Sequence, residues 1–196
     1  APAWMTSYAA YALAQAKRAG ADVPGELLDH AAQLTERWLR GGAESGEETG
    51  SAGRRPLGMF LFAAVEFEGL LSRSALEGVE VDAFADGIQY MTPEDRVFLA
   101  LALHRLGRRP DVVTQVLAEV KNRIQVTAAG ALVAADQGSA VAEPMRTGVR
   151  GTALALLLAV RARPEDSLVP RLAYGLLSMR LHGDWGSTQD NALAML

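Results

Sequence analysis

The sequence predicts an all-α fold built from helical hairpins. Hydrophobic residues make up 49% of the 196 residues, and alanine and leucine dominate while β-branched runs are scarce, a composition that favours closely packed helices. Helix starts also recur, because Met5-Thr6, Met91-Thr92 and Arg146-Thr147 each precede an Ala/Leu-rich segment that is followed by a proline and a second helix. The unequal spacing of these pairs favours a closed ring of hairpins over an open solenoid. At this length we expect one domain over residues 1–196.

The first hairpin is predicted between the N-terminus and Arg40. The segment Trp4-Met5-Thr6-Ser7-Tyr8 leads into an alanine-rich helix that ends at Gly20. Pro24 lies in the first turn of a second helix, whose expected buried stripe consists of Leu27, Leu28, Ala31, Leu34 and Trp38. Residues 41–55 are rich in Gly, Ser and Glu without a large apolar side chain, and they predict a mobile surface loop.

The middle of the chain contains the clearest helix start. Leu57 to Leu71 is apolar on more than one face and predicts a helix buried between others, and Ala75 to Ala85 predicts a shorter helix. Further on, Thr92 is expected to be an N-cap and Pro93 the first helical residue, with acidic residues in the first turn. We expect this helix to end at Gly107.

The second half alternates helices with one segment of different character. Pro110 opens a helix with a valine-rich face. Residues 125–144 lose the helical period, with glycines as breakers, and predict either a hairpin or an irregular crossing. Two apolar helices are expected to follow, at Thr147 to Val160 and at Leu168 to Met179.

The last segment is the one place where the order of residues looks specified rather than merely patterned. Gly183 and Gly186 flank Asp184-Trp185 and predict a tight loop, and the indole ring of Trp185 is large enough to hold that loop against a core. Ser187 or Thr188 is expected to be the N-cap of a final helix that runs to the end of the chain. Because the chain stops inside that helix, we expect it to be part of a longer protein.

Composition argues against several classes of function. A net charge of −4 gives no basic footprint for nucleic acid. The longest apolar run, Thr152 to Val160, is too short to cross a bilayer. The absence of cysteine excludes disulfides, thiolate metal sites and cysteine nucleophiles from this stretch. The three histidines lie on different predicted elements without metal-ligand spacing, so we expect neither a metal nor a cofactor.

No catalytic constellation is predicted either. Ser187 and Thr188 lack a nucleophile-elbow pattern, and helix capping accounts for their hydroxyls. Adjacent acids such as Glu94 and Asp95 do not share a helix face. A glycosidase built on a ring of helices needs two acids across one groove, and the sequence alone does not place such a pair.

Three landmarks resemble the thioester domain of the alpha-2-macroglobulins and complement components, and they are most similar to the bacterial members. They are Trp4-Met5-Thr6-Ser7-Tyr8, the helix from Thr147 to Leu157, and Gly183-Asp184-Trp185-Gly186-Ser187-Thr188-Gln189, and in this order they span essentially the whole chain. The resemblance implies an α/α toroid, two concentric rings of helices, which we expect to be incomplete at both ends. It also implies a structural role for the motif residues Trp4, Thr6, Tyr8, Gly183, Trp185, Gly186, Ser187, Thr188 and Gln189.

The same resemblance implies what is missing. The family's reactive thioester joins a cysteine and a glutamine in a Cys-x-Glu-Gln stretch before the first landmark, and this chain contains no cysteine. The histidine that assists transfer in the complement relatives has no counterpart in the matching loop, Gly41 to Arg55. No catalytic, metal or cofactor residue is therefore carried over to this chain.

The function implied is a non-catalytic structural and interaction module of a bacterial, broad-spectrum protease trap that acts in the periplasm or outside the cell. Its expected partners are proteases, met through the full-length protein, and other domains of the same polypeptide. Association between copies through uncovered helix faces is a further expectation. The alternative is a toroid enzyme such as a glycosidase or a terpene cyclase-like protein. Terpene cyclases share a Gln-x-x-x-Gly-x-Trp repeat, but Met179 stands where glutamine is required.

Overall fold

The computed structural model describes residues 3–41, 56–134 and 148–196. In these ranges the chain is mainly α-helical, with one two-stranded hairpin. A 3-10 turn covers Ile88–Tyr90. The other elements are α1 (Ala3–Arg18), α2 (Gly25–Leu39), α3 (Leu57–Phe67), α4 (Val81–Asp86), α5 (Pro93–Leu106), α6 (Pro110–Lys121), β1 (Ile124–Thr127), β2 (Gly130–Val133), α7 (Gly148–Ala162), α8 (Leu168–Ser178) and α9 (Thr188–Ala194).

Contacts along the chain divide it into two compact units, Ala1–Pro110 and Asp111–Leu196. The prediction of a mainly helical chain is confirmed. The toroid, its incompleteness at both ends and the single domain over residues 1–196 stay predictions.

The core of the first unit is α3, which is buried on every face. All of its residues from Gly58 to Phe67 are buried, as expected for a helix that is apolar all round. The helices α1, α2 and α5 pack against it. Aromatic stacking joins these layers, with ring centroids 5.1 Å apart for Tyr11 and Phe62 and 5.2 Å apart for Trp38 and Phe60.

The helix α5 begins and ends at the predicted residues. The Oγ1 atom of Thr92 accepts a hydrogen bond from the amide of Asp95 at 3.2 Å, and Pro93 is the first helical residue. Gly107 closes the helix in the left-handed conformation, with φ at 65°, where other L residues are strained. The sequence signals for this helix are therefore confirmed at both ends.

A buried carboxylate connects the ends of three helices in the first unit. Glu66, near the end of α3, is 3% exposed. Arg105 of α5 donates a hydrogen bond to its Oε1 at 2.7 Å, and the Nε atom of Arg18, the last residue of α1, lies 3.2 Å from its Oε2. The guanidinium of Arg18 donates its hydrogen bonds to the carbonyl oxygens of Glu66 and Glu68, at 2.8 to 3.1 Å. Two arginines thus compensate a carboxylate whose burial alone is unfavourable.

The second unit is built around the β-hairpin, which packs on α7 and α8 through β2. The strands are antiparallel, with Thr127 opposite Gly130 at the turn, and Ala131 in β2 is fully buried. A Cβ atom placed on Gly175 of α8 would lie 2.0 Å from the carbonyl oxygen of Ala131. The backbones of β2 and α8 therefore approach so closely that the contact has no room for a side chain.

The predicted bounds of α3 are wrong at the C-terminal end. The helix ends at Phe67 rather than Leu71, because Glu68 leaves the helical conformation, with ψ at 125°. Its carboxylate then accepts hydrogen bonds from the Ser74 hydroxyl at 2.8 Å and from the Ala75 amide at 3.0 Å. This side-chain contact turns the chain and competes with further helix.

Other local predictions differ less from the structure. The helix expected at Ala75 to Ala85 forms at Val81–Asp86, and Leu27, expected in the buried stripe of α2, is exposed. Of the two alternatives for residues 125–144, the structure contains the hairpin, over 124–133. The rest of that segment, from 135 onward, and the loop residues 42–55 lie outside the described residues.

Candidate functional site

The loop after α8 contains the most specific part of the motif. Leu181 and Asp184 form an isolated antiparallel bridge, in which each backbone N–H donates to the other residue's carbonyl oxygen, at 2.8 and 3.1 Å. The turn between them holds His182 and Gly183 at positive φ values of 52° and 98°. A second turn follows at Gly186, with φ at 95°. Both motif glycines therefore occupy left-handed backbone positions, which glycine adopts without strain.

Trp185 connects this loop to the helices on either side. Its indole Nε1 donates a hydrogen bond to the carbonyl oxygen of Leu176 in the last turn of α8, at 2.7 Å. Its backbone N–H donates to Oδ1 of Asn191 in α9, at 3.1 Å. The guanidinium carbon of Arg180 lies 5.3 Å from the centre of the indole ring, a cation–π arrangement. The ring is half-buried, so Trp185 holds the loop through hydrogen bonds as well as through burial.

Ser187 begins α9 as its N-cap. Its Oγ atom accepts a hydrogen bond from the Asp190 amide at 3.1 Å and donates one to Oδ2 of Asp190 at 2.8 Å. The Asp190 side chain is buried, and the side-chain Nδ2 of Asn191 donates to the Ser187 carbonyl oxygen at 2.9 Å. Of the two expected caps, the structure selects Ser187, while Thr188 is an exposed first residue of α9 and Gln189 is the second. The serine hydroxyl thus acts both as hydrogen-bond acceptor and as donor at the start of α9.

The other three motif residues lie on α1 in the first unit. The ring of Tyr8 packs edge-on against Phe98, with 6.2 Å between the ring centroids. Trp4 is partly exposed, and its carbonyl oxygen accepts a hydrogen bond from the Ser7 hydroxyl at 2.9 Å. Thr6 is half-buried. The motif residues therefore fall into two groups, one in each unit.

Asp95 has a shifted pKa. The sequence predicts only its position in the first turn of α5. It is 5% exposed, and its Oδ1 accepts a hydrogen bond from the amide of Met59 at 2.9 Å, at the N-terminus of α3. Burial raises its pKa to about 6, although backbone hydrogen bonds from the start of α3 lower it. The glycine at position 58 permits this contact, since a Cβ atom there would lie 2.0 Å from the Asp95 carbonyl oxygen.

A strongly shifted pKa often marks a functional residue, but structural contacts shift pKa values too. The contacts of Asp95 are backbone amides, and the residue before α3, Pro56, provides no side-chain cap. Asp95 therefore caps α3 from a neighbouring helix. Sequence reasoning missed this role because the partner amide is 36 residues away, and no local signal joins the two.

Two features are absent from the residues that the structure describes. Among those residues, no group of three or more His, Cys, Asp or Glu side chains is gathered as metal ligands. None of the helices described has the combined length and apolar character needed to cross a membrane.

The comparisons with known proteins do not identify a family for this chain. No protein-family model matches the chain, and no curated protein matches it with significance. The resemblance to the macroglobulin thioester domain is carried by the three landmarks of the sequence alone.

Proposed function

We propose that the chain is a structural and interaction module of a bacterial alpha-2-macroglobulin-like protease trap that works in the periplasm or outside the cell. The observation that supports this most is the organisation of the loop from Gly183 to Ser187. Its two glycines occupy left-handed positions, Trp185 bonds to α8 and α9, and Ser187 caps α9. Each of these motif residues holds the backbone in place, which is the role that the resemblance implies.

The buried acids of the described chain favour this proposal over a toroid enzyme. General acid–base catalysis needs a carboxyl group that can exchange a proton with a substrate. Glu66 is paired with Arg18 and Arg105, and Asp190 is bonded to Ser187. Asp95 is directed at the start of α3. Each of these groups makes at least one contact that holds a helix end, so a module that need not react accounts for them more simply.

The proposed mechanism requires no chemical step from the residues of this chain. In a macroglobulin trap, a protease cleaves a bait segment elsewhere in the protein, the protein changes conformation, and this domain becomes exposed or docks. In this mechanism the chain provides stable folded structure and one loop, Gly183 to Ser187, of defined conformation. Because a fold alone does not determine function, trap activity is the property to measure.

The test is inhibition by the full-length protein that contains this chain, against proteases of several specificities. A trap encloses its protease, so we expect cleavage of a large protein substrate to fall while cleavage of a small chromogenic peptide persists. A preparation exposed to heat before mixing is the control for non-specific effects. Equal loss of both cleavage activities would contradict enclosure of the protease. No loss of either activity would favour the alternative function, a toroid enzyme.

The role of Trp185 is tested by replacing it in the isolated chain. Trp185→Ala removes a large half-buried ring and its hydrogen bond to Leu176, so we expect the free energy of unfolding to fall by about 3 kcal/mol. Trp185→Phe keeps most of the ring but not the N–H donor, and should cost about 1 kcal/mol. Urea denaturation followed by circular dichroism measures both. A change below about 0.5 kcal/mol for the alanine variant would show that the indole does not hold the loop.

A further inference from the structure

The β-hairpin has one covered edge and one open edge. The covered edge belongs to β2, where the amide of Val133 donates a hydrogen bond to Oγ1 of Thr152 on α7 at 3.0 Å. On the same edge, the carbonyl group of Ala131 lies against Gly175 of α8. Because the sheet has only two strands, the other edge of the hairpin is the outer edge of β1.

The strand register shows which backbone groups point to this open edge. In an antiparallel ladder, pairs that exchange both hydrogen bonds alternate with pairs that exchange none. Ala131 and Val133 direct their backbone groups away from β1, so the residues opposite them, Val126 and Ile124, direct theirs away from β2. Within the part of the chain that the structure describes, these groups of Ile124 and Val126 have no hydrogen-bond partner.

The strand β1 also lacks the features that keep strand edges apart. Natural edge strands are commonly protected by a charged side chain, a proline or a bulge. The residues Ile124-Gln125-Val126-Thr127 include no charge and no proline, and their pairing with β2 is continuous, without a bulge. The side chain of Val126 is 55% exposed beside the free backbone groups. An edge of this kind is a template for another strand.

We propose that β1 pairs with β1 of a second copy of the chain, so that two hairpins form one four-stranded antiparallel sheet about a twofold axis. With the axis at Gln125, Ile124 of each copy lies opposite Val126 of the other. Each copy then donates two hydrogen bonds and accepts two, and every free group of the edge is paired. The inference is independent of the proposed trap function.

The side chains along the edge are compatible with a copy of themselves. In the twofold register, Arg123 lies opposite Thr127 of the second copy, so the two arginines do not face each other. The hairpin tip that comes beside the end of α6 consists of Ala128 and Ala129, which have small side chains. The edge is therefore complementary to itself in hydrogen bonding and without like-charge repulsion.

A copy of the chain is favoured over a flexible peptide as the occupant of this edge. A flexible peptide loses conformational entropy when it is ordered as a strand. In a second copy, β1 is already held in the strand conformation by β2, so that cost is smaller.

The association should stop at the dimer. Each hairpin has one open edge, since α7 and α8 cover the other, and pairing of two copies uses both open edges. The contact is short, and small interfaces are weak. We therefore expect a dissociation constant between about 10 μM and about 1 mM.

Sedimentation equilibrium of the intact chain measures this constant. Val126→Pro removes an N–H donor from the open edge without removing a bond between β1 and β2, and we expect it to weaken the dimer about tenfold or more. Val126→Thr is the matched control, because it keeps the N–H and a β-branched side chain. It should change the dissociation constant less than about threefold. Circular dichroism of both variants verifies the fold.

Amide exchange measured by NMR tests the same contact without a substitution. The amides of Ile124 and Val126 should exchange several-fold more slowly at about 1 mM chain than at about 10 μM, because pairing protects them. The amide of Glu165, in the turn between α7 and α8, should exchange at the same rate at both concentrations. If Val126→Pro disturbed the hairpin, this comparison would decide by itself.

Four outcomes would overturn the proposal. They are a chain that stays monomeric up to about 1 mM, a dimer that Val126→Pro and Val126→Thr weaken equally, and association that continues beyond two copies. The fourth is dimerisation without slower exchange of the Ile124 and Val126 amides, which would place the contact on another surface.

Discussion

Replacing Gly175 by alanine is expected to destabilise the second unit by about 3 kcal/mol or more, enough to separate the hairpin from α8. The new Cβ atom would lie 2.0 Å from the carbonyl oxygen of Ala131 and 2.8 Å from its carbonyl carbon. These are backbone atoms, so no side-chain rotation relieves the clash. Urea denaturation and hydrogen exchange of the amides in β2 and α8 measure the loss.

The matched control is Gly25→Ala, the same change in the first turn of α2. A Cβ atom at Gly25 meets nothing within 4 Å, so this variant should be neutral or slightly more stable, since alanine favours helix. If Gly175→Ala unfolded at the same urea concentration as the unchanged chain, the close approach of β2 to α8 would be disproved.

Asp95 should make the first unit more stable in mild acid than at neutral pH. Its pKa is about 6 in the folded chain, raised from 3.8 mainly by burial. Between these values the folded state binds more protons than the unfolded state, so stability falls as pH rises through this window. A shift of about 2 pKa units corresponds to about 3 kcal/mol, fully lost above pH 6.

Asp95→Asn isolates this effect, because asparagine has no proton to lose. The unfolding free energy of the unchanged chain, minus that of Asp95→Asn, should decline from about pH 4 to about pH 6 and be flat on either side. Asp29→Asn, an exposed carboxylate on α2, is the control. A flat difference for Asp95→Asn, or a decline of the same size for Asp29→Asn, would show that burial does not hold the Asp95 proton.

Local chemistry explains which parts of the fold were predictable. Thr92, Pro93 and Gly107 act within one helical turn of themselves, so the bounds of α5 follow from the sequence. The C-terminal end of α3 does not, because the Glu68 carboxylate that turns the chain bonds to residues at positions 74 and 75. Apolar character continues through Leu71 and gives no sign of this contact.

The same distinction applies to the candidate site. The cap at Ser187 and the turns at Gly183 and Gly186 depend on neighbours in sequence, so the sequence predicts both turns and narrows the cap to Ser187 or Thr188. The bond from the Trp185 indole to α8 was expected only as a general anchoring role. The cap that Asp95 provides for α3 depends on how two helices cross, which single-sequence patterns do not encode.

The position of Glu66 has a consequence for synthesis on the ribosome. Arg18 and Glu66 emerge well before Arg105, so the nascent chain contains the carboxylate while one of its two cations is still untranslated. Burying a carboxylate without full compensation is strongly unfavourable. The doubly paired, buried state of Glu66 can therefore form only after α5 leaves the exit tunnel, and we expect this part of the first unit to be completed late.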